Sequence, residues 1–238
     1  MTLLSKASIL VTPNGYKASK LYAAIPTNGN GDMTFTRATT ATRVDENDLV
    51  SSVASNIPRI DYTGGGCSSI LLEPQRTNLL LRSEEFDNAS WTKLEMTITA
   101  NTVISPDGTQ NADKLVESVN AGQHALHQLV SSTSGVAYTY SLFLKADGNG
   151  RNARISIFDS SFTNGGNITF VSSNGTTTNQ FNSGTGVVNG STIQDFGNGW
   201  FRVSITVTIA ATSIRGVVYL SSGTNTSYTG DGTSGIYI

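Results

Sequence analysis

Acid–base chemistry on a glycan needs two carboxyl groups converging across a cleft, one to protonate the leaving oxygen and one to activate water or attack. The acidic side chains of this chain do not present such a pair. Asp45, Glu46, Asp48, Asp107, Asp147 and Asp231 fall in turn-like stretches, and Glu73, Glu84 and Glu85 flank apolar runs. None recurs at a telling spacing, so the sequence reads as a non-enzyme. His124 and His127 are the only histidines, separated by two residues. On a strand that spacing turns them to opposite faces, which is poor for joint metal ligation. They are expected to be ordinary half-buried or surface residues. Cys67 is the single cysteine, so an intrachain disulfide is excluded. No nucleophile-plus-His arrangement accompanies it, and it reads as a small buried or half-buried side chain.

Binding chemistry is better represented. Sugar recognition uses exposed aromatic rings that stack on the pyranose face, with amides and carboxylates nearby. Trp200 falls on the polar face of the most regular strand and is the leading carbohydrate-binding candidate, followed by Tyr138, Tyr140, Tyr219 and Tyr228. The competing reading is that Trp200 packs under a loop or at the rim of the fold, as aromatics at strand starts commonly do. Arg37, Arg43, Arg59 and Arg76 recur through the first third of the chain, each near a strand. They read either as solubilising charges or as partners for carboxylates of a neighbouring molecule.

The 238 residues carry a net charge of −2, and only 13% of them are charged. Nucleic acid and anionic membrane both select a basic face, so neither is expected as a partner. With 24 glycines and abundant Ser, Thr and Asn, the composition is that of a turn-rich β-protein. Lys6 interrupts the apolar positions near the start, and no signal-peptide core is expected there.

Two halves of different character must position these residues. The first, residues 1–75, reads as an arm of short strands and hairpins without enough regularly spaced large apolar residues for a core of its own. Its apolar patches are Leu3–Leu4 with Ile9–Val11, then Leu21–Ile25, divided by Pro13-Asn14-Gly15. The second, residues 76–238, reads as a series of alternating strands. Tyr138, Tyr140, Leu142 and Leu144 share one face of a strand, and Asp147-Gly148-Asn149-Gly150 is a hairpin signal leading into Ala153–Phe158. Further turn signals are Asn164-Gly165-Gly166, Asn174-Gly175 and Asn189-Gly190. Over Trp200–Ile209 the apolar face is Phe201, Val203, Ile205, Val207 and Ile209, a period-two pattern that predicts a half-buried antiparallel strand. Asn198-Gly199 is its turn from Ile193–Phe196. The fold class is therefore all-β, an antiparallel jelly-roll β-sandwich preceded by an arm. Between the halves, Cys67–Trp91 is expected to be an ordered junction. In it Leu79–Leu81 begins the sandwich as a strand, and Ser83 opens a short helical or coiled turn.

Two resemblances bear on function. Gly135-x-x-Tyr138-Thr139-x-Ser141-x-x-x-Lys145-Ala146, together with Trp200-x-Arg202-Val203-Ser204, resembles the carbohydrate-binding jelly rolls of the family 4/9/22 type. Those domains often hold a structural Ca2+, for which Asp87, Asp113 or Asp231 would be candidates here. The second resemblance covers nearly the whole chain. It is carried by Lys20-Leu21-Tyr22, by Phe35-Thr36-Arg37-Ala38-Thr39-Thr40-Ala41-Thr42-Arg43-Val44, and by Ile57-Pro58-Arg59-Ile60-Asp61-Tyr62. It continues in Leu71-Leu72-Glu73-Pro74-Gln75-Arg76-Thr77-Asn78-Leu79, Ser83-Glu84-Glu85-Phe86-Asp87 and Tyr228-Thr229-Gly230-Asp231-Gly232. These phrases are similar to bacteriophage virion-appendage proteins of the head-fibre, head-spike or tail-fibre kind. Ser68 departs from the Pro that such proteins usually have after the cysteine, and relatives continue past the position of Ile238.

The expectation is a structural virion protein, assembled in the host cytoplasm, without a catalytic cofactor. It docks on capsid or tail proteins through its arm, with Tyr22, Arg37, Arg43, Arg59 and Arg76 as docking residues. It displays the sandwich for decoration of the particle or for adhesion to cell-surface glycans. The resemblance further implies a homo-oligomer, a trimer in many such appendages. The alternatives are a secreted polysaccharide-binding module and a glycan-degrading tailspike.

Overall fold

A computed structural model describes residues 6–17 and 19–238. Leu3–Leu4 lies outside the described residues. The chain divides into two compact units, Met1–Arg76 and Thr77–Ile238.

Among the described residues the first unit has seven short strands: β1 (Leu10–Lys17), β2 (Lys20–Ile25), β3 (Met33–Thr34), β4 (Ala41–Val44), β5 (Val50–Val53), β6 (Ile60–Asp61) and β7 (Ser69–Ile70). They form a β1-β2-β3 sheet and two separate pairs, β4-β5 and β6-β7. Pro13-Asn14-Gly15 does not divide two elements as expected. It is looped out inside β1, where Val11 pairs with Ala23 and Tyr16 with Leu21. The β2 ladder carries on across the interruption, which local turn chemistry cannot reveal.

Few of the described apolar side chains of this unit are buried: Leu21, Val44, Val53 and Ile60. Polar bonds supply the remaining cohesion. Arg37 donates to the carbonyls of Thr39 (2.8 Å), Val53 (3.0 Å), Ile57 (3.2 Å) and Ala54. Arg43 Nη1 donates to Ile60 O at 2.7 Å, and Arg59 Nη1 to Glu73 Oε2 at 2.7 Å. Buried Asp61 accepts from Val44 N at 2.9 Å. These guanidinium staples tie the β4-β5 hairpin to the segment around β6, compensating for a small core.

The second unit is an antiparallel jelly-roll β-sandwich. In chain order its strands are β8 (Thr92–Leu94), β9 (Met96–Val103), β10 (Ala112–Glu117), β11 (Ala121–Gln123), β12 (Ala125–Ser131), β13 (Ala137–Ala146) and β14 (Asn152–Asp159). Then come β15 (Gly165–Val171), β16 (Thr176–Ser183), β17 (Val187–Asp195), β18 (Trp200–Thr208), β19 (Ser213–Ser221), β20 (Ser227–Thr229) and β21 (Gly235–Tyr237). One six-stranded sheet has the order β17-β18-β13-β21-β10-β9, and the other β16-β15-β14-β19-β12-β8. The pair β11-β20 stands apart from both.

The core between the sheets follows the alternation in the sequence. Tyr140, Leu142, Leu144, Val203, Ile205 and Val207 from the first sheet meet Leu126, Ile155, Ile168, Phe170, Val218 and Leu220 from the second. Gly216 leaves room for the Tyr140 ring, since a Cβ there would stand only 3.1 Å from Tyr140 Cε2.

Three local expectations are corrected. Asp147–Gly150 does not close a hairpin: β13 pairs with β18 and β21, whereas β14 pairs with β15 and β19 in the other sheet. The turn chemistry is right, but the chain crosses the sandwich there, a choice made by burial of both apolar faces. Asn189-Gly190 is likewise no boundary; it is a bulge within β17. Leu79–Leu81 is not a strand. The Gln128 amide holds this segment instead, accepting from Leu81 N (2.6 Å) and donating to Leu81 O (3.0 Å) and Ser90 O (3.2 Å). Three successive turns over Arg82–Trp91 then bring Phe86 and Trp91 into the core, their rings 5.0 Å apart.

Candidate functional site

The second sheet has an unusual outer face. Ala125, Phe158, Val217 and Tyr219 are buried there as a cluster separate from the main core. Register fixes what stands beside them. Across the sheet, Phe181, Asn167, Ser156, Val217, His127 and Thr92 form one row, strand by strand. The next row is Thr178, Thr169, Arg154, Tyr219, Ala125 and Leu94. Ser156, Asn167 and Thr169 are at most 2% exposed, although they point away from the core. Ser156 Oγ donates to Asn167 Oδ1 at 2.7 Å, and Asn167 Nδ2 donates to Ser183 Oγ at 3.0 Å. Thr169 Oγ1 and Arg154 Nε are buried without a hydrogen-bond partner.

Two arginines repeat one arrangement on this face. The Arg154 guanidinium lies 5.4 Å from the Phe181 ring centre, and its Nη2 donates to Thr224 O. The Arg215 guanidinium lies 4.8 Å from the Phe162 ring centre, and its Nη2 donates to Ser160 O at 3.2 Å. Each planar cation is thus laid on a ring and pinned to a loop carbonyl. Phe162 and Phe181 are 41% and 38% exposed, which leaves ring surface for a ligand. Arg215 Nη1 is 3.3 Å from His127 Nδ1. A guanidinium can only donate, so Nδ1 accepts that bond; burial, and then the Arg215 charge, lower the His127 pKa. The rows carry no carboxylate; Asp159, at the end of β14, is taken up by Thr163 N (2.8 Å) and Asn164 Nδ2 (2.7 Å). The face offers donors, rings and positive charge, which suit binding without acid–base chemistry.

Among the sequence-predicted aromatics, only Tyr219 belongs to this face. Trp200 is corrected outright. It is 2% exposed, its Nε1 donates to Ile104 O at 3.0 Å, and it presents no ring for stacking. A rim segment covers it, because a large ring at a strand start gains more from packing than from water. Tyr140 is also withdrawn from the binding set, being 4% exposed and within the main core. Tyr138 packs against that core and its hydroxyl accepts from Thr133 N at 2.7 Å.

Tyr228 belongs to a buried ionic cluster elsewhere. Its hydroxyl donates to Glu117 Oε2 at 2.6 Å, and the Arg151 guanidinium sits 4.9 Å from its ring centre. Glu117 also accepts from Arg151 Nε and Nη2, both at 2.7 Å, and from Asp231 N at 2.8 Å. With four donors on two oxygens, this carboxylate is satisfied and structural.

The docking candidates divide similarly. Tyr22 is 45% exposed, with Lys20 Nζ 5.2 Å from its ring centre. Arg76 is exposed. Arg37 and Arg59 are instead bonded to the carbonyls and the carboxylate of their own unit described above, which corrects their reading as free partners for a neighbour; Arg43 donates through Nη1 to Ile60 O, and its Nε has no partner among the described residues. Cys67 is exposed, at the end of the Gly64–Gly66 turn and not half-buried as expected.

The acidic candidates for Ca2+ do not gather. Asp113 is buried and accepts from Phe86 N and Asn101 N, each at 3.0 Å, while burial raises its pKa. Asp231 accepts from Thr233 and Ser234. Among the described residues no group of three His, Cys, Asp or Glu side chains could hold a metal ion. His124 and His127 share no ligand site: His124 Nδ1 is 2.6 Å from Glu95 O, while His127 lies on the outer face.

A recess of about 450 Å3 beside this sheet is lined by Leu79, Leu81, Ser90, Gln128, Leu129, Val130 and Ser131. Its one amide side chain, Gln128, is already committed to backbone.

No sequence motif singles out Arg154, Phe162, Asn167, Thr169, Phe181 and Arg215. Their one signal is weak: polar residues alternate with apolar ones in Arg154-Ile155-Ser156-Ile157 and Asn167-Ile168-Thr169-Phe170. That pattern shows two half-buried strands, not that their polar positions share one row.

No protein-family model matches the chain, and no curated protein sequence matches it either. Among solved structures, the enzymatically active domain of tailspike protein 4 of bacteriophage CBA120 aligns with 65% of this chain at 16% identity and a TM-score of 0.36. This chain covers only 19% of that tailspike chain. A carbohydrate-binding module, TmCBM61 in complex with β-1,4-galactotriose, aligns with 61% of this chain at 12% identity and a TM-score of 0.30, over 99% of its own length.

Proposed function

We propose that this chain is a structural component of a bacteriophage virion whose sandwich binds glycans through the outer face of its second sheet. The observation that carries the binding reading is the paired arrangement of Arg154 on Phe181 and Arg215 on Phe162, both rings partly exposed. Exposed phenyl rings stack on sugar faces, and guanidinium edges donate to ring and hydroxyl oxygens. The virion assignment is supported by the phrases that resemble phage head-fibre, head-spike and tail-fibre proteins. In this reading the first unit docks on capsid or tail proteins, the chain assembles as a homo-oligomer, and its work is attachment without turnover.

A glycan array probed with the purified chain tests the binding reading. Wild type is expected to retain a defined subset of glycans, and Phe181→Ala with Phe162→Ala to weaken retention about tenfold. A folded wild-type chain that retains no glycan removes the adhesion reading and leaves the sandwich as a spacer. Labelling of intact particles with an antibody to the first unit, with no signal on the virion, would remove the structural assignment.

A further inference from the structure

We infer that the glycan recognised by the outer face is anionic, carrying uronate, sulfate or phosphate groups. This inference rests on the glycan-binding reading above and names the chemistry of its ligand.

The protein as a whole is slightly acidic, with a net charge of −2. Its local charge on this face has the opposite sign. The two rows of the outer face, with Phe158 and Arg215 beyond them, hold two guanidiniums and no carboxylate. Neither Arg154 nor Arg215 forms a salt bridge among the described residues. Two other arginines of this unit are held differently: Arg151 is paired with Glu117 and Asp231, and Arg82 with Glu85. The nearest acid of the sheet, Asp159, is turned into its own loop by bonds to Thr163 and Asn164.

Partial burial of an unpaired cation is costly unless a counter-charge arrives. The geometry shows where one would sit. Both guanidiniums are fixed on phenyl rings, and each uses some of its five N–H donors on a loop carbonyl, leaving others for a ligand. Arg215 stands opposite Phe158, four residues along β14 from Arg154. That separation is about 13 Å along the strands, so one extended polysaccharide crosses both cations and can meet each with an acidic group.

The test uses the intact chain against immobilised polysaccharides in matched pairs: polygalacturonate and its carboxyl-reduced neutral form, chondroitin sulfate and desulfated chondroitin, and a glycerol-phosphate teichoic acid and dextran. Wild type is expected to bind at least one anionic member and to lose roughly tenfold in affinity on its neutral counterpart. Raising the salt from low to physiological strength should weaken that binding further. Arg154→Gln and Arg215→Gln should each weaken it roughly tenfold, and Arg154→Lys should lose affinity while keeping the salt dependence. Circular dichroism confirms that each variant is folded, and Arg202→Gln, exposed on the other sheet, serves as a charge control that should leave binding unchanged. Binding to neutral and anionic members alike would overturn the anionic inference and leave glycan binding standing. Binding to none, by a folded chain, would overturn both.

Discussion

Arg151 and Glu117, 34 residues apart in sequence, meet through two parallel bonds of 2.7 Å, Nε to Oε2 and Nη2 to Oε1. The Glu117 side chain is fully buried and Arg151 mostly so. With Tyr228 and the Asp231 amide as further donors, this pair ties β10, the β13–β14 crossing and the segment after β20 together.

Removing the charge of Glu117 leaves the Arg151 cation with only the longer Asp231 contact, at 3.6 Å, as a counter-charge. Glu117→Gln is expected to destabilise the sandwich by about 3–5 kcal/mol at neutral pH, measured by urea unfolding. Burial alone would raise the Glu117 pKa, but the Arg151, Tyr228 and Asp231 bonds outweigh it and hold the pKa below the ordinary value of 4.5. A depressed carboxylate stabilises the fold above the unfolded-state pKa and loses that contribution as pH falls through the folded one. The gap between wild type and Glu117→Gln should therefore be constant above about pH 5 and shrink on acidification below it. A gap that widens on acidification would contradict this role.

Trp200 is expected to act on stability and not on ligand choice. Trp200→Ala should cost about 3–5 kcal/mol, and Trp200→Phe, which keeps most packing but drops the bond to Ile104 O, about 1 kcal/mol. Thermal unfolding gives both quantities. A Trp200→Phe chain that keeps full stability yet loses glycan retention would return this residue to the binding surface.

The arginine staples make the first unit sensitive to conservative change. Arg37 reaches four carbonyls with its planar fork, a geometry that an ammonium group cannot copy. Arg37→Lys is expected to lower the local stability of residues 37–60 by roughly 1–3 kcal/mol. Amide hydrogen exchange would read it as faster exchange in β4 and β5, with the sandwich strands unchanged.

The period-two pattern of Trp200–Ile209 is enough to place Val203, Ile205, Val207 and Ile209 in a core, and they are buried. The same pattern places Tyr140, Leu142 and Leu144 on one face of β13. It fails where two outcomes share one local chemistry. Asp147-Gly148-Asn149-Gly150 makes a tight reversal whether the next strand pairs or crosses to the opposite sheet. Trp200 sits on a polar face by alternation, yet the segment at Ile104, far away in sequence, covers it.

What the sequence determined by itself was the all-β class, most strand positions of the sandwich and the apolar face of each, because alternation and turn chemistry act between near neighbours. The grouping of residues on the outer face was decided by tertiary structure. Arg154, Asn167 and Tyr219 lie on three different strands, and only the pairing of β15 with β14 and of β14 with β19 sets them side by side. That pairing results from burying both sheets' apolar faces at once, a condition satisfied by the whole chain and visible in none of its segments.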